Sequence, residues 1–547
     1  MPFLGKGYPQ LFAVSTPIAA PDTRDIRCIK QAKEWLNGCL KNHERCTRFA
    51  GLSGRKVYQA RLIDISKPRL RLVRRDQIHQ NWGLQYMTVS HRWCQPGDDV
   101  GNAKGGSADI TPKLFSNDLE SKTLEFDIRS LPQLFQQCIS LARELNIRYV
   151  WIDSFCVIQD DKSDLELELE MGNMGHIYQN AILNVGSLQR TDGTVNTPVE
   201  LFGKREPRRY SPFAVTIKRK DYTQICFAYL DEDVEEINKT DIMCRGWVLQ
   251  ERLLSPRSIY FGAQLHWECS ESIACEVFPQ RNPARRDAMP FGVSTPLRIS
   301  TLLEAKEKHR FSDDSQVLHS EVDYRYQCWL DIVQRYAQYG LSYDSDCFPA
   351  LSGLAHTFQE ALQRDQYHAG LWSGDMLHGL LWYADEDVED LMTDYVRPEV
   401  YKAPTWSWAF AIVPATFLSN DHDWRREENI TFPIETQYQD EIDLAPKRGW
   451  RVSLSLETCE VFDYGYLESG YQLPLRYYDG DVRDVGHVYG LMIEIVDAET
   501  EAYQRIGSFA HLRGDLRTKD EITDPEEYPE FIDLDPYNFE RRTITII

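Results

Sequence analysis

Apolar positions in this chain come in short bursts, and the spacing of the bursts predicts its elements. The run YMTVS at 86–90 reads as a buried strand ending in polar residues. After Ser130 and Pro132, a favourable helix start, Leu134, Cys138, Leu141 and Leu145 recur at helical spacing up to Asn146. Residues 149–152 (YVWI) form a second strand, about 163–180 a second helix, and Ile182–Val185 a third strand. Short strands separated by helices in the order β-α-β-α-β predict a parallel sheet built on right-handed crossovers. Functional groups should gather where such strands end: Ser90–Trp93, Asp153–Gln159 and Ser187.

Flanking patterns extend this plan. Residues 25–47 have the period of a helix, with Cys39, His43 and Cys46 on one face at i, i+4 and i+7. Thiol and imidazole groups there could bind zinc, but a fourth donor is needed and none is evident. A packed helix face is the preferred reading, because buried Cys is common in cores, and no metal is expected. VYQARLIDI at 57–65 alternates like a strand, as does the basic RLRLVRR at 69–75 with a solvated face. Gln95–Leu124 contains GNAKGGS and has the composition of a surface loop rather than a phosphate-binding loop. The block CRGWVLQERLLSPRSIYFGAQLHWEC at 244–269 predicts a short helix through Trp247, Leu249, Leu253 and Leu254, then a hairpin around Gly262. Its polar groups Gln250 and Glu251 could face the same cleft.

The domain plan is an N-terminal extension (1–27), an α/β domain (28–280, core about 86–255), a linker or exposed loops (281–320) and a mixed helical and β-rich region (321–547). The sequence shows no repeats.

Charge narrows the function. Across 547 residues the net charge is −23, from 61 basic and 84 acidic residues, so phosphate-driven binding to nucleic acid is not expected. Thirteen cysteines, scattered and without a CxxC pair, suit a reduced compartment. MPFLGKGYPQLFAV lacks the basic start and apolar core of a signal peptide, and no apolar run reaches the roughly 20 residues that cross a bilayer. A cytoplasmic protein without a membrane span is expected.

Several chemistries can be built from the strand-end groups. Cys156 with His91, oriented by Asp153, would make a thiolate nucleophile, yet Phe155, Val157 and Ile158 around Cys156 favour a core thiol. Ser90, His91 and Asp153 could be drawn as a triad, but adjacent Ser and His on a strand point to opposite faces. Asp153 with Glu166, Glu170 or Glu251 could form a carboxylate pair; alternatively these acids cap helices and pair with Arg92, Arg148 or Arg245. Gln159 lies just behind the strand-end acid. Trp93, Trp151 and Trp247 could stack on a planar ligand, although as a set they are more often core.

Three blocks resemble the heterokaryon incompatibility (HET) domain of filamentous fungi: VSHRWC at 89–94, WIDSFCVIQDDKSDLE at 151–166 with MGHIYQNA at 174–181, and GWVLQERLLS at 246–255. RLIDI, AGLWSGDMLHGLLWY at 369–383 and APTWSWAF at 403–410 fit as well, so the resemblance spans roughly 28–430. Three departures are Cys94 in place of a glycine, Phe155 in place of a leucine, and a long Gly- and Asp-rich insertion after the first block. The resemblance implies a TIR-like, flavodoxin-like parallel sheet and an effector role in non-self recognition and regulated cell death. By analogy with TIR proteins that cleave NAD, it implies NAD as substrate rather than cofactor, and Glu166 as first catalytic candidate, with Glu170 and Glu251 behind it. Ser90, His91, Trp93 and Asp153 would line the pocket, beside Arg92, Cys156, Gln159, Trp247 and Gln250.

Two other readings stay open. One is an enzyme of specialised metabolism binding a small hydrophobic substrate, which 12% aromatic residues would suit. The other is a non-catalytic module that signals by self-association or through a protein partner.

Overall fold

The structure is a computed structural model. It describes residues 20–46, 61–74, 78, 84–92, 113–160, 165–188, 200–205, 213–218, 223–228, 240, 242–276, 279, 298–299, 321–362, 365–384, 402–410, 415–416, 424–425, 452–460, 471–478, 487–497, 502–512 and 540–546. At 124, 165–169, 213–218, 223–228, 321–324, 377, 384 and the described segments beyond 410 only the backbone is described. The chain divides into two compact units, 1–304 and 305–547.

An eight-stranded sheet organises the first unit. Its strands are β1 (Arg61–Asp64), β2 (Arg71–Arg74), β3 (Tyr86–Ser90), β4 (Tyr149–Trp151) and β5 (Leu183–Ser187), followed after a separate hairpin, β6 (Phe213–Lys218) and β7 (Thr223–Ala228), by β8 (Arg257–Phe261), β9 (Leu265–Cys269) and β10 (Ile273–Cys275). The spatial order is β10-β9-β8-β5-β3-β4-β1-β2. The four central strands, β8, β5, β3 and β4, are parallel. The outer strands are antiparallel on both sides. The expectation of a parallel sheet therefore holds only for the centre. Helical crossovers join β3 to β4 and β4 to β5 and force parallel pairing, whereas the short turns between β1 and β2 and from β8 to β10 can only reverse the chain.

Helices follow their apolar stripes. Helix α1 (Ile26–Asn42) starts at Asp25, whose carboxylate accepts from the Arg27 amide at 2.9 Å, and buries Cys28, Ile29, Ala32, Trp35, Leu36 and Cys39. It stops short of the predicted 47: His43 is extended (φ −101°, ψ 99°), and residues 44–46 make a separate turn. The predicted loop before residue 124 instead contains α2 (Leu119–Leu124), while its Gly-rich part lies outside the described residues. Helix α3 (Gln133–Glu144) packs Leu134, Phe135, Cys138, Ile139 and Leu141 inward. It closes through Asn146, left-handed at φ 59°, a conformation that asparagine tolerates. The Cys-bearing segment after β4 is a helical turn, α4 (Asp153–Cys156), followed by α5 (Leu165–Gln179) and, before β8, α6 (Gly246–Leu254).

In the second unit, helices Glu321–Ala337 and Pro349–Ala361 accompany an aromatic cluster around Trp329, whose ring meets Phe358, Tyr367 and Trp372 edge-on. Trp329 Nε1 donates to Gly370 O at 2.8 Å, and Gly370 sits at φ 96°, where a side chain would be strained. Strand 471–478 pairs with both 452–460 and 487–497, so five strands of the C-terminal sheet close into a ring. No helix among the described residues is long and apolar enough to cross a membrane.

Candidate functional site

Strands β4 and β5 lie on opposite sides of β3, so the chain changes direction across the sheet at β3 and β5. At such a crossing the carboxyl ends of parallel strands open outward, and their last side chains meet. Here those ends supply Ser90, Asp153 and Ser187, and α6 brings Glu251 to them.

Thr88 and Ser90 point to one face of β3, as residues two apart must, and meet Asn184 of β5. Thr88 Oγ1 donates to Asn184 Oδ1 at 3.0 Å, and Asn184 Nδ2 donates to Ser90 Oγ at 3.0 Å. Ser90 Oγ in turn donates to Glu251 Oε2. Burial, reinforced by the charge of Asp153, pushes the Glu251 carboxyl up to about 7, while Ser90 and Arg245 pull it down. Tyr178 is near enough to help hold that carboxylate, yet its hydroxyl lacks hydrogen-bond geometry to any described group. The Tyr178 ring rests edge-on against Trp151 at 5.4 Å.

His91 turns the other way. Its Nδ1 is 3.4 Å from Asp153 Oδ1, at an angle that makes no hydrogen bond, and its Nε2 is 3.5 Å from Ser154 Oγ. The ring stands edge-on to Phe135 at 4.8 Å. Burial lowers its pKa, with Asp153 opposing and Arg245 adding to the shift, so the imidazole is neutral near pH 7. Arg245 Nη1 donates to the His91 carbonyl at 2.5 Å and ties the start of α6 to the end of β3. Ser90 and His91 thus belong to two groups of contacts, as the alternation of a strand requires, and the carboxylate that shares its field with Asp153 is Glu251.

The other expected residues are placed as follows. Trp93 and the side chain of Glu166 lie outside the described residues, although the Glu166 backbone is in α5. Glu170 is buried with Oε1 3.6 Å from Arg61 Nη1. Cys156 is buried, its Sγ accepts from the Ile152 amide at 3.4 Å, and burial pushes its thiol up to about 12, which leaves it a core thiol. Gln159 donates to the Val157 carbonyl at 3.1 Å. Gln250 is buried, Trp247 half-buried and Arg92 exposed. Trp151 is core, and Arg148 pairs with Asp64 at 2.8 Å.

Residue-by-residue reading missed Asn184, the polar member of LNVGS, and Tyr178. A polar side chain inside an otherwise apolar central strand was the available signal. It also missed Cys269, which joins Cys39, His43 and Cys46 as the fourth donor that was not evident in the sequence. Away from the strand ends, a cavity of about 370 Å³ opens beside α1 and α3, lined by Arg24, Ile29, Gln133 and Glu144 among others. Its lining shares no residue with the Ser90–Glu251 cluster.

Residues 86–251 match the family model of the heterokaryon incompatibility protein (HET). The match begins at the first residue of β3 and ends at Glu251. No curated protein and no solved structure matches the chain.

Proposed function

We propose that this HET segment works as a cytoplasmic effector of non-self recognition and regulated cell death, and that it cleaves NAD or a related nucleotide with Glu251. The carrying observation is a buried carboxylate, raised to about 7 and held by Ser90, at the ends of the parallel strands. A group with that pKa exchanges its proton near neutral pH, as a general base must. The parallel strands run β4-β3-β5-β8, which is 2-1-3-4 in chain order and supports a flavodoxin-like, TIR-like core.

In this reading the nucleotide lies over the ends of β3, β4 and β5. The bond between ribose C1′ and the nicotinamide nitrogen breaks, and nicotinamide leaves as the neutral base. The positive charge that develops on the ribose is stabilised by the carboxylates of Glu251 and Asp153. Water adds at C1′, Glu251 accepts its proton, and ADP-ribose and one proton are released. Arg92 and Arg245 supply positive charge for the pyrophosphate, and neutral His91 packs beside Asp153 without taking its charge.

The test is NAD consumption by the purified full chain over a range of concentrations, with Glu251→Gln and Glu166→Ala beside wild type. Loss of turnover in Glu251→Gln with retention in Glu166→Ala is expected. The reverse pattern would move the acid to α5, and no turnover at any concentration would end the glycohydrolase reading. A second reading, a self-associating module without chemistry, is favoured by closure of the cluster: Ser90 is 1% and Glu251 4% exposed. Concentration-dependent assembly without NAD loss would establish it.

A further inference from the structure

Helix α1 ends where three potential ligands follow one another at Cys39, His43 and Cys46. Had the helix continued, they would have shared one stripe, with no partner along the helix. Instead the chain turns at His43, and the three donors converge on Cys269, the last residue of β9. The four donor atoms all lie within 4.8 Å of one another. His43 Nδ1 is 3.3 Å from Cys269 Sγ. A tetrahedral zinc, with bonds of about 2.3 Å to sulfur and 2.0–2.1 Å to nitrogen, holds its ligands roughly 3.3–3.8 Å apart. The widest separation in this set, within 4.8 Å, is about 1 Å beyond that spacing.

We infer that Cys39, His43, Cys46 and Cys269 form a structural zinc site. Four protein donors fill the coordination of zinc and leave no open position for substrate, which separates a structural site from a catalytic one. All three cysteines are buried, and soft thiolates with one imidazole select zinc over harder cations.

Arg257 supplies an independent argument. It is buried on β8 directly opposite Cys269, and its Nε donates to Cys39 Sγ at 3.1 Å. Its other contacts are the carbonyls of Cys46 at 3.3 Å and Ile182 at 3.4 Å. No carboxylate pairs with it among the described residues, whereas the buried Arg252, Arg205 and Arg61 each have one. A buried guanidinium with no counter-charge is costly. Zinc with three thiolates and a neutral imidazole carries a net charge of −1, which balances Arg257. A cluster of neutral thiols would leave it uncompensated. An N–H···S bond to a ligating sulfur is also the usual outer support of such a site.

The site joins residues on both sides of the HET match: 39–46 precede it and 269 follows it. Metal binding would therefore clamp α1 onto the β8–β9 hairpin and contribute directly to folding of the unit.

The test is the metal content of the full chain purified without chelators, measured by plasma mass spectrometry. One zinc per chain is expected, retained in Cys244→Ser, an exposed cysteine outside the four donors, and lost in Cys269→Ser. Reconstitution of the wild type with cobalt(II) should give the intense visible bands of a tetrahedral thiolate site. This reading stands even if Cys269→Ser fails to fold. Wild-type protein without stoichiometric zinc and without those bands would overturn the inference. So would Cys269→Ser that keeps its zinc, or a disulfide between any two of the three cysteines.

Discussion

Ser90 and Glu251 are 161 residues apart in sequence and share a buried hydrogen bond in which the serine hydroxyl donates to the carboxylate. The direction of the neighbouring bonds follows from it. A hydroxyl has one proton, so with that proton on Glu251 the serine oxygen accepts from Asn184 Nδ2, and Asn184 Oδ1 accepts from Thr88. The chain of donors runs from β3 through β5 to α6 and ends on Glu251, whose carboxyl is raised to about 7.

That titration has a consequence for stability. Glu251 is raised from 4.5 to about 7 in the folded state, so between those values the folded protein holds a proton that the unfolded chain has released. Its stabilising contribution is complete below about pH 4.5 and falls as pH rises through 7, by about 3 kcal/mol at most. Glu251→Gln keeps the shape and the acceptor oxygen but not the charge. We expect it to be more stable than wild type at pH 8, with a flatter dependence between pH 5 and 8 in thermal unfolding. Parallel pH profiles for the two proteins would show that Glu251 does not titrate in this range.

Much of this arrangement was legible in the sequence. Tyr86–Ser90, Tyr149–Trp151 and Leu183–Ser187 are short apolar runs separated by helical periods, and local pattern suffices to place them in a parallel sheet. The antiparallel partners were not legible, because Arg61–Asp64 pairs with β4 through contacts between distant segments that no local period encodes. The same limit applied to the site. Glu166, Glu170 and Glu251 look alike as acids in a row of motifs, and only the fold separates the acid facing Ser90 from the one facing Arg61. Cys269 was hidden for that reason too, since it lies 226 residues along the chain from His43.

The Arg61–Glu170 pair accounts for one of those acids. Both side chains are less than one-tenth exposed, with Arg61 Nη1 3.6 Å from Glu170 Oε1, and Arg61 Nη1 also reaches the Cys156 carbonyl at 3.5 Å. Removing one partner of a buried pair strands the other charge, at about 3–5 kcal/mol. Glu170→Gln and Arg61→Met should each lower the denaturant midpoint strongly, and Arg61→Met with Glu170→Met should recover much of the loss. Additive losses in the double variant would show that the two groups do not depend on each other.

Thiol reactivity separates a nucleophile from a core residue at Cys156. Attack on an alkylating reagent requires the thiolate and access to it, and Cys156 has neither at pH 8: burial raises its pKa to about 12 and encloses its sulfur. Cys244 is exposed and should be labelled by iodoacetamide in the native protein before any other described cysteine, as read by peptide mass spectrometry. Cys156 should stay protected until the unit unfolds, and a strong zinc chelator should expose Cys39, Cys46 and Cys269 ahead of it. Native labelling of Cys156 at the rate of Cys244 would return it to the catalytic candidates. Protection through chelation would place it in the core, with the metal-bound thiols forming the separate, releasable group.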